Sequence, residues 1–224
     1  MTIKERYKLT IEYFKANRPV AETELVYSDP FELIVAVILS AQCTDKRVNI
    51  ITPPLLKKYP DAVSMSKAEP EEIFEFIRSC SYPNNKAKHL SAMSRMLVKE
   101  FGGVVPSDTL QLQKLPGVGR KTANVVASVV FGKPVMAVDT HVFRVSTRIG
   151  LVKKAKTPLS VEIQLSEHIP SELMHNAHHW LILHGRYICK ARKPLCSECG
   201  LSRFCKYYKQ KVIRKKSDVE IRNN

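Results

Sequence analysis

The chain has 224 residues, of which 44% are hydrophobic, so it can bury a sizeable core and does not depend on disulfides to fold. A total of 36 Lys and Arg against 21 Asp and Glu gives a net charge of +15, which indicates a polyanionic partner. The longest strongly apolar run, Leu33 to Leu39, is far below the roughly 18 to 20 residues that cross a bilayer, so nucleic acid is favoured over a membrane.

Helical periodicity dominates the chain, and no alternating apolar and polar run is long enough to predict a strand, so we expect an all-α fold. Asp29 and Pro30 predict the start of a helix through FELIVAVILSAQ, whose apolar residues on every side indicate a central, buried helix. Pro70 predicts the start of a helix over EEIFEFIRSC. A later helix is predicted to end at Gly102 and Gly103.

The segment LPGVGRKTANVV, from Leu115 to Val126, places two glycines in a tight turn before an apolar helix. This pattern predicts a helix-hairpin-helix over about residues 108–130, in which Gly117 and Gly119 adopt conformations that a side chain forbids. Lys121 follows at the start of the second helix, where the helix dipole does not stabilise an ammonium. A solvated surface lysine is the simpler interpretation from this segment alone.

Beyond the hairpin, the sequence predicts further helices from about Ser160 to His184 and a basic tail from Lys206 to Lys216 that attracts phosphate. His175 and His179 have the i, i+4 spacing of a metal-binding pair. No third ligand accompanies them, so packed or hydrogen-bonded helix histidines are the favoured interpretation.

Four cysteines occur close together near the end of the chain, with the spacing C-x6-C-x2-C-x5-C. The charged start MTIKERYKLT lacks the apolar core of a signal peptide, so we expect a cytoplasmic protein and reduced thiols that ligate a metal. Zinc and a [4Fe–4S] cluster both remain possible, and the spacing favours iron–sulfur only modestly. Cys43 and Cys80 stand apart and are expected to be small buried residues. The four clustered cysteines are Cys189, Cys196, Cys199 and Cys205.

Four segments in order resemble the endonuclease III family, the bifunctional DNA glycosylases and AP lyases of base-excision repair. They are ILSAQCTD, LPGVGRKTANVV, AVDTHVFRVSTRIG and the cysteine segment, and the resemblance runs from about Phe31 to Cys205. It implies a six-helix barrel domain over residues 23–134, an iron–sulfur domain from residues 1–22 and 135–224, and a DNA-binding cleft between them. It also implies a [4Fe–4S] cluster rather than zinc.

The resemblance implies the chemistry of two residues. Lys121 matches the family's nucleophile, whose neutral amine attacks C1′ of the deoxyribose, displaces an oxidised pyrimidine and allows β-elimination 3′ to the lesion. Asp139 matches the family's aspartate, which stays ionised and stabilises the developing positive charge. From the segment VDTH alone, Asp139 is equally interpreted as a helix N-cap.

The resemblance also implies the DNA contacts. Gln42 matches a residue that enters the gap left by the extruded nucleotide, and the loop at residues 79–88 supplies a second wedge. That loop departs from the family's commonest pattern through Pro83 and an apparent extra residue, so Ser81, Tyr82 and their neighbours all remain candidates. Phosphates are expected to meet backbone amides in the hairpin and cations in the cysteine segment. The residues concerned are Gly117, Val118, Gly119, Lys190, Arg192 and Lys193.

Three alternatives remain beside this interpretation. A monofunctional mismatch glycosylase typically lacks the hairpin lysine and carries a further C-terminal domain, whereas this chain has Lys121 and 19 residues after Cys205. A non-enzymatic iron–sulfur DNA-binding module does not explain Lys121 with Asp139. An electron carrier does not explain the basic charge or the glycine hairpin. We therefore expect a monomeric, nucleoid-associated enzyme acting on duplex DNA that contains damaged pyrimidines or abasic sites.

Overall fold

The computed structural model describes residues 1–210, and every regular element among these residues is a helix, which confirms the all-α prediction. No helix in this part of the chain is long and apolar enough to cross a membrane. A short 3-10 turn at Ser171–Leu173 precedes the last helix. The helices are α1 (Ile3–Asn17), α2 (Pro30–Ser40), α3 (Asp45–Lys58), α4 (Ala62–Ser66), α5 (Pro70–Ile77), α6 (Pro83–Phe101), α7 (Thr109–Leu112), α8 (Arg120–Phe131), α9 (Thr140–Ile149), α10 (Pro158–His168) and α11 (Met174–Tyr187).

The chain divides into two compact units. One consists of residues 23–135 and contains α2 to α8, while the other joins residues 1–22 to the chain from residue 136 onward. The predicted basic tail reaches Lys216, and its part beyond residue 210 lies outside the described residues.

The first unit is organised around α2, which contacts α3, α6 and α8. The Asp29 carboxylate accepts a hydrogen bond from the Glu32 amide at 2.9 Å, and Pro30 is the first helical residue, as predicted. Apart from Pro30, Glu32 and Ser40, every residue of α2 is buried, and each large aliphatic side chain contributes roughly 1.5–3 kcal/mol of transfer free energy. The prediction extended this helix to Gln42, but it ends at Ser40 because Ala41 has a non-helical ψ of 113°, and Gln42 then turns the chain with a φ of 55°.

The second unit buries the N-terminal helix against the C-terminal half of the chain. The Phe14 ring of α1 stacks on Trp180 of α11 at 5.6 Å, and the Trp180 indole N–H donates to the Arg18 carbonyl at 2.7 Å. Tyr7 donates to the Gln164 carbonyl of α10 at 3.2 Å. These long-range bonds explain why residues 1–22 belong to this unit although 113 residues of the other unit separate them along the chain.

Candidate active site and cluster centre

Buried leucines pack against the hairpin between α7 and α8. The Val118 amide closes its turn by donating a hydrogen bond to the Leu115 carbonyl at 3.0 Å. Gly117 has a φ of 81°, and a Cβ built there would lie 2.9 Å from the Cβ of His89 on α6. Both the conformation and the space therefore require glycine at this position.

The structure corrects two parts of the hairpin prediction. Gly119 has φ −84° and ψ 176°, an extended conformation open to any residue, and nothing lies within 4 Å of a Cβ built there. Its lack of a side chain is therefore not a folding requirement. Val118 was predicted to offer an outward amide, but its N–H is engaged with Leu115 and its side chain is only 5% exposed. The amide bond closes the turn, so the valine contributes to the hairpin's own structure.

Lys121 is exposed and lies at the second position of α8, within the first turn after the hairpin. Ala123, Val126 and Ala127 on the same helix are buried against α2, as the 3.6-residue periodicity predicts. Packing of this face fixes the position of α8, and the hairpin sets the residue at which the helix begins. Lys121 thus stands at the positive end of a rigid helix.

Two turns meet at the end of α2. Gln42, exposed and with a φ of 55°, accepts a hydrogen bond on its carbonyl oxygen from the Ser81 hydroxyl at 2.6 Å. Tyr82, the next residue, has a φ of 54° and is 63% exposed. The hydrogen bond holds Ser81 against the Gln42 turn. It therefore joins that turn to the turn that carries the exposed Tyr82.

Buried groups beneath these turns were not found by sequence reasoning. The Lys86 ammonium of α6 donates to the carbonyls of Leu39 and Ala41 at 2.8 and 2.7 Å. Cys80 is buried, as expected, and burial raises the pKa of its thiol, whereas Cys43 is only partly buried. A lysine in a helix resembles any surface lysine in sequence, so no spacing signal could have revealed its partners.

Asp139, in the second unit, is the N-cap of α9. Its Oδ1 accepts from the Val142 amide at 2.7 Å, which confirms the capping interpretation and uses one of the two carboxylate oxygens. The preceding residues are buried, and the Ala137 carbonyl lies 2.9 Å from Nδ1 of His178. A carbonyl only accepts, so this contact requires the proton on Nδ1 of His178. The cap and this bond fix the position of the Asp139 carboxylate.

All four clustered cysteines line one cavity, together with apolar residues such as Ile149 and Leu201. Burial raises the pKa of the Cys199 thiol to about 11 and also raises that of Cys205, and the neighbouring thiolates add to both shifts by repulsion. Four such thiols ionise together only if a positively charged centre offsets their charge. The site therefore fits a cysteine-ligated metal group, as the sequence predicted.

Two side chains contact the sulfurs of this cavity. His184 is buried, with its Nε2 3.5 Å from the Cys199 sulfur, and burial lowers the pKa of His184 to about 4, so its ring is neutral. Arg148 of α9 lies 3.6 Å from the Cys189 sulfur. The predicted DNA-binding cations of the following segment, Lys190, Arg192 and Lys193, are all exposed.

The histidine pair on α11 does not form a metal site. Nδ1 of His179 lies 3.0 Å from the His175 carbonyl, within the helix, and burial lowers the pKa of His179 to about 4. Among residues 1–210, neither histidine belongs to a group of three or more Cys, His, Asp or Glu side chains placed to hold a metal ion. The packed-histidine interpretation is the one that the structure supports.

Comparison with known proteins decides the family. Residues 35–171 match the model of the HhH-GPD superfamily of base excision DNA repair proteins, and residues 189–205 match the iron–sulfur binding domain of endonuclease III. The chain belongs to the endonuclease III family. Endonuclease III of Bacillus subtilis (strain 168) is 50% identical over 188 residues, which are 84% of this chain and 86% of that protein. Endonuclease III of Escherichia coli (strain K12) is 44% identical over 198 residues, 88% of this chain and 93% of the relative.

Solved structures agree. A trapped covalent intermediate of endonuclease III with DNA, in an estranged-adenine complex, superposes with a TM-score of 0.90 at 43% identity, covering 95% of this chain and 100% of that one. A non-covalent endonuclease III–DNA complex gives the same TM-score and identity. The protein is accordingly a base-excision-repair DNA glycosylase and AP lyase that binds DNA. The protein carries a [4Fe–4S] cluster rather than zinc, and the matched iron–sulfur segment contains all four clustered cysteines.

Proposed function

We propose that Lys121 is the nucleophile of the glycosylase and lyase reactions, and that the lesions are oxidised pyrimidines in duplex DNA. One observation carries the assignment of the nucleophile: an exposed lysine occupies the first turn of α8, directly after the hairpin. The positive end of the helix dipole does not stabilise an ammonium there, which suits a residue that must attack as the neutral amine.

The proposed reaction balances in three steps. The Lys121 amine forms a bond to C1′ while the bond from C1′ to the base breaks, and the base leaves with a proton. The nitrogen then passes one proton to O4′ while its lone pair forms the C=N bond and the bond from C1′ to O4′ breaks, which gives a ring-opened iminium whose C2′ proton is acidic. Removal of that proton expels the 3′ phosphate, which cuts the strand, and water then releases the enzyme.

For Asp139 we propose the role of an ionised carboxylate that stabilises positive charge developing on the sugar. The α9 cap supports this role, because the hydrogen bond from the Val142 amide fixes the position of the carboxylate. The four cysteines would hold the cluster, which supplies structural cross-linking and iron redox chemistry rather than the reacting atoms.

We propose that Gln42 and Tyr82 together fill the gap left by the extruded nucleotide. Both residues have a left-handed backbone, both are exposed, and the Ser81 hydroxyl links their turns. Ser81 is the weaker candidate for a wedge because its hydroxyl is committed to the Gln42 carbonyl. A tyrosine ring can stack on a neighbouring base, and such stacking contributes about 1–3 kcal/mol.

Phosphate binding is assigned to two segments. In the hairpin we propose the amides of Gly117 and Gly119, and the open space around Gly119 permits a close approach of the DNA backbone. In the cysteine segment we propose the exposed cations Lys190, Arg192 and Lys193. Neither set reads bases, so we expect little sequence preference beyond the lesion itself.

The remaining assignments follow from the same function. We propose that the unit of residues 23–135 corresponds to the family's barrel domain, and that the other unit is its iron–sulfur domain. We further propose that the protein acts as a monomer and associates with the nucleoid, where its DNA substrate is found.

Borohydride trapping tests the assignment of Lys121. The protein is incubated with a duplex containing one oxidised pyrimidine, with an abasic duplex and with an undamaged duplex, each in the presence of borohydride. We expect a covalent adduct with the first two, and its loss in Lys121→Ala but not in Lys114→Ala, an exposed lysine before the hairpin. Release of a base without an adduct would instead indicate the monofunctional mismatch glycosylase, and no adduct on any duplex would refute the nucleophile.

A further inference from the structure

Arg148, on the last turn of α9, bridges the cluster cavity and the cationic segment Lys190–Lys193. Its Nη1 lies 3.6 Å from the Cys189 sulfur and donates to the Lys190 carbonyl at 2.7 Å. Its Nη2 donates to the Ala191 carbonyl at 3.0 Å. One guanidinium therefore contacts a cluster ligand and two consecutive carbonyls of the segment.

The guanidinium itself is held in place. The ring of Tyr207 lies 4.7 Å from its central carbon, and the Cys205 sulfur lies 3.3 Å from the Arg148 backbone carbonyl. Arg148 is partly buried, and its planar group has a stacking partner on one face and acceptors along its edge. The side chain is consequently preorganised to donate hydrogen bonds to the carbonyls of the segment in one geometry.

The segment that it contacts has few means of holding its own shape. Its residues are exposed, and Lys193 has a φ of 49°, a conformation that a lysine adopts only when its surroundings impose it. The amides of Lys190 and Leu195 both donate to the Ile188 carbonyl, which fixes the two ends of the segment. The carbonyls of Lys190 and Ala191, between those ends, are the groups that Arg148 fixes.

We propose that Arg148 is a positioning residue that holds Lys190, Arg192 and Lys193 in their DNA-binding conformation. It does so by anchoring the segment to the wall of the cavity that the four cysteines line. This rests on the proposed phosphate-binding role of the segment. The anchor lowers the entropy that the segment loses on binding, so its cations meet phosphates already arranged. The contact with the Cys189 sulfur also stabilises added negative charge on that sulfur, which raises the reduction potential of the cluster.

Three variants separate position from charge. Arg148→Lys keeps the charge, but one ammonium cannot reproduce the fork that reaches three acceptors. Arg148→Met removes both charge and fork. Lys156→Met, at an exposed residue between α9 and α10, removes the same charge outside the segment and the cysteine cavity and serves as the matched control. A triple variant, Lys190→Ala with Arg192→Ala and Lys193→Ala, tests the segment itself.

Each variant is purified with its cluster, checked for iron content, and compared by amide hydrogen exchange and by DNA affinity over a range of salt. For Arg148→Lys and Arg148→Met we expect exchange of residues 190–195 to be about tenfold faster. We expect a roughly tenfold weaker Kd and a shallower dependence of log Kd on log salt, by about 1 to 3 units of slope. Lys156→Met should leave exchange of the segment unchanged. Arg148→Met should shift the cluster midpoint potential to a more negative value, measured by voltammetry.

The outcomes distinguish the possible failures. Wild-type exchange and affinity in Arg148→Lys would overturn the proposal, because charge alone would then suffice. Unchanged affinity in the triple variant would refute the proposed role of the segment, while the exchange data would still decide whether Arg148 positions it. If Arg148→Met loses iron, Tyr207→Leu provides a second test, since it removes only the stacking ring and should raise exchange by an intermediate factor.

Discussion

The Lys86 ammonium lies 2.7 Å from the Ala41 carbonyl oxygen, although only 5% of the residue is exposed to solvent. A second hydrogen bond joins it to the Leu39 carbonyl at 2.8 Å. Both acceptors lie at the end of α2, where helix carbonyls lack intrahelical partners and the dipole is negative. The buried cation therefore serves as a C-terminal cap that also fixes the entry to the Gln42 turn.

Replacing Lys86 by Met should destabilise the protein and weaken DNA binding together. The substitution leaves two buried carbonyls without their donor, a cost of about 1–3 kcal/mol for each lost partner, so the thermal midpoint should fall measurably. Calorimetry of the cluster-bound protein measures the first effect, and binding to an abasic duplex measures the second. Lys88→Met, at an exposed position of the same helix, is the control and should match the wild type. An unchanged thermal midpoint in Lys86→Met would contradict this prediction, because it would show that water donates to the two carbonyls in place of the ammonium.

Replacing Tyr82 by Ala should reduce affinity for lesion-containing duplexes while leaving stability unchanged. The residue is 63% exposed, so little packing is lost, whereas loss of one stacked base contact corresponds to about 1–3 kcal/mol, or roughly fivefold to 150-fold in Kd. Competition binding with damaged and undamaged duplexes measures the difference. Tyr82→Phe retains the ring and should retain affinity. Equal losses in the Phe and Ala variants would point to the phenol hydroxyl and against stacking.

The features that the sequence predicted well are local ones. Asp29, Pro30 and Gly102 act through hydrogen bonds and backbone angles within a few residues, so their identity predicts the helix ends directly. The bonds from Lys86 to Leu39 and from Arg148 to Lys190 join residues more than 40 positions apart, and nothing in the flanking residues encodes them. Such partners become visible only once the helices are packed.

The two hairpin glycines should respond differently to substitution. Gly117→Ala forces a side chain into a left-handed backbone at φ 81° and into contact with His89, so we expect a loss of stability of about 1–3 kcal/mol. Gly119→Ala meets no neighbour and an ordinary backbone, so its stability should change by less than about 0.5 kcal/mol. Its added methyl group should nevertheless weaken DNA binding. Urea unfolding and DNA affinity measured on both variants separate folding from binding, and full affinity in Gly119→Ala would contradict a close phosphate approach there.

His179 should make the protein less stable in mild acid. Burial lowers its pKa from 6.5 to about 4, with the nearby His175 and Arg186 opposing protonation further, so the folded state binds the proton less well than the unfolded state. The stability from this group is therefore fully present above pH 6.5 and is lost as the pH falls toward 4, at about 1.4 kcal/mol per pH unit within that window. Urea unfolding at about pH 7.0, above that window, and at about pH 6.0 and 5.0, inside it, measures the slope. His179→Gln keeps a polar side chain without the titration and should show a smaller slope, whereas identical slopes for the two proteins would assign the acid sensitivity to other groups.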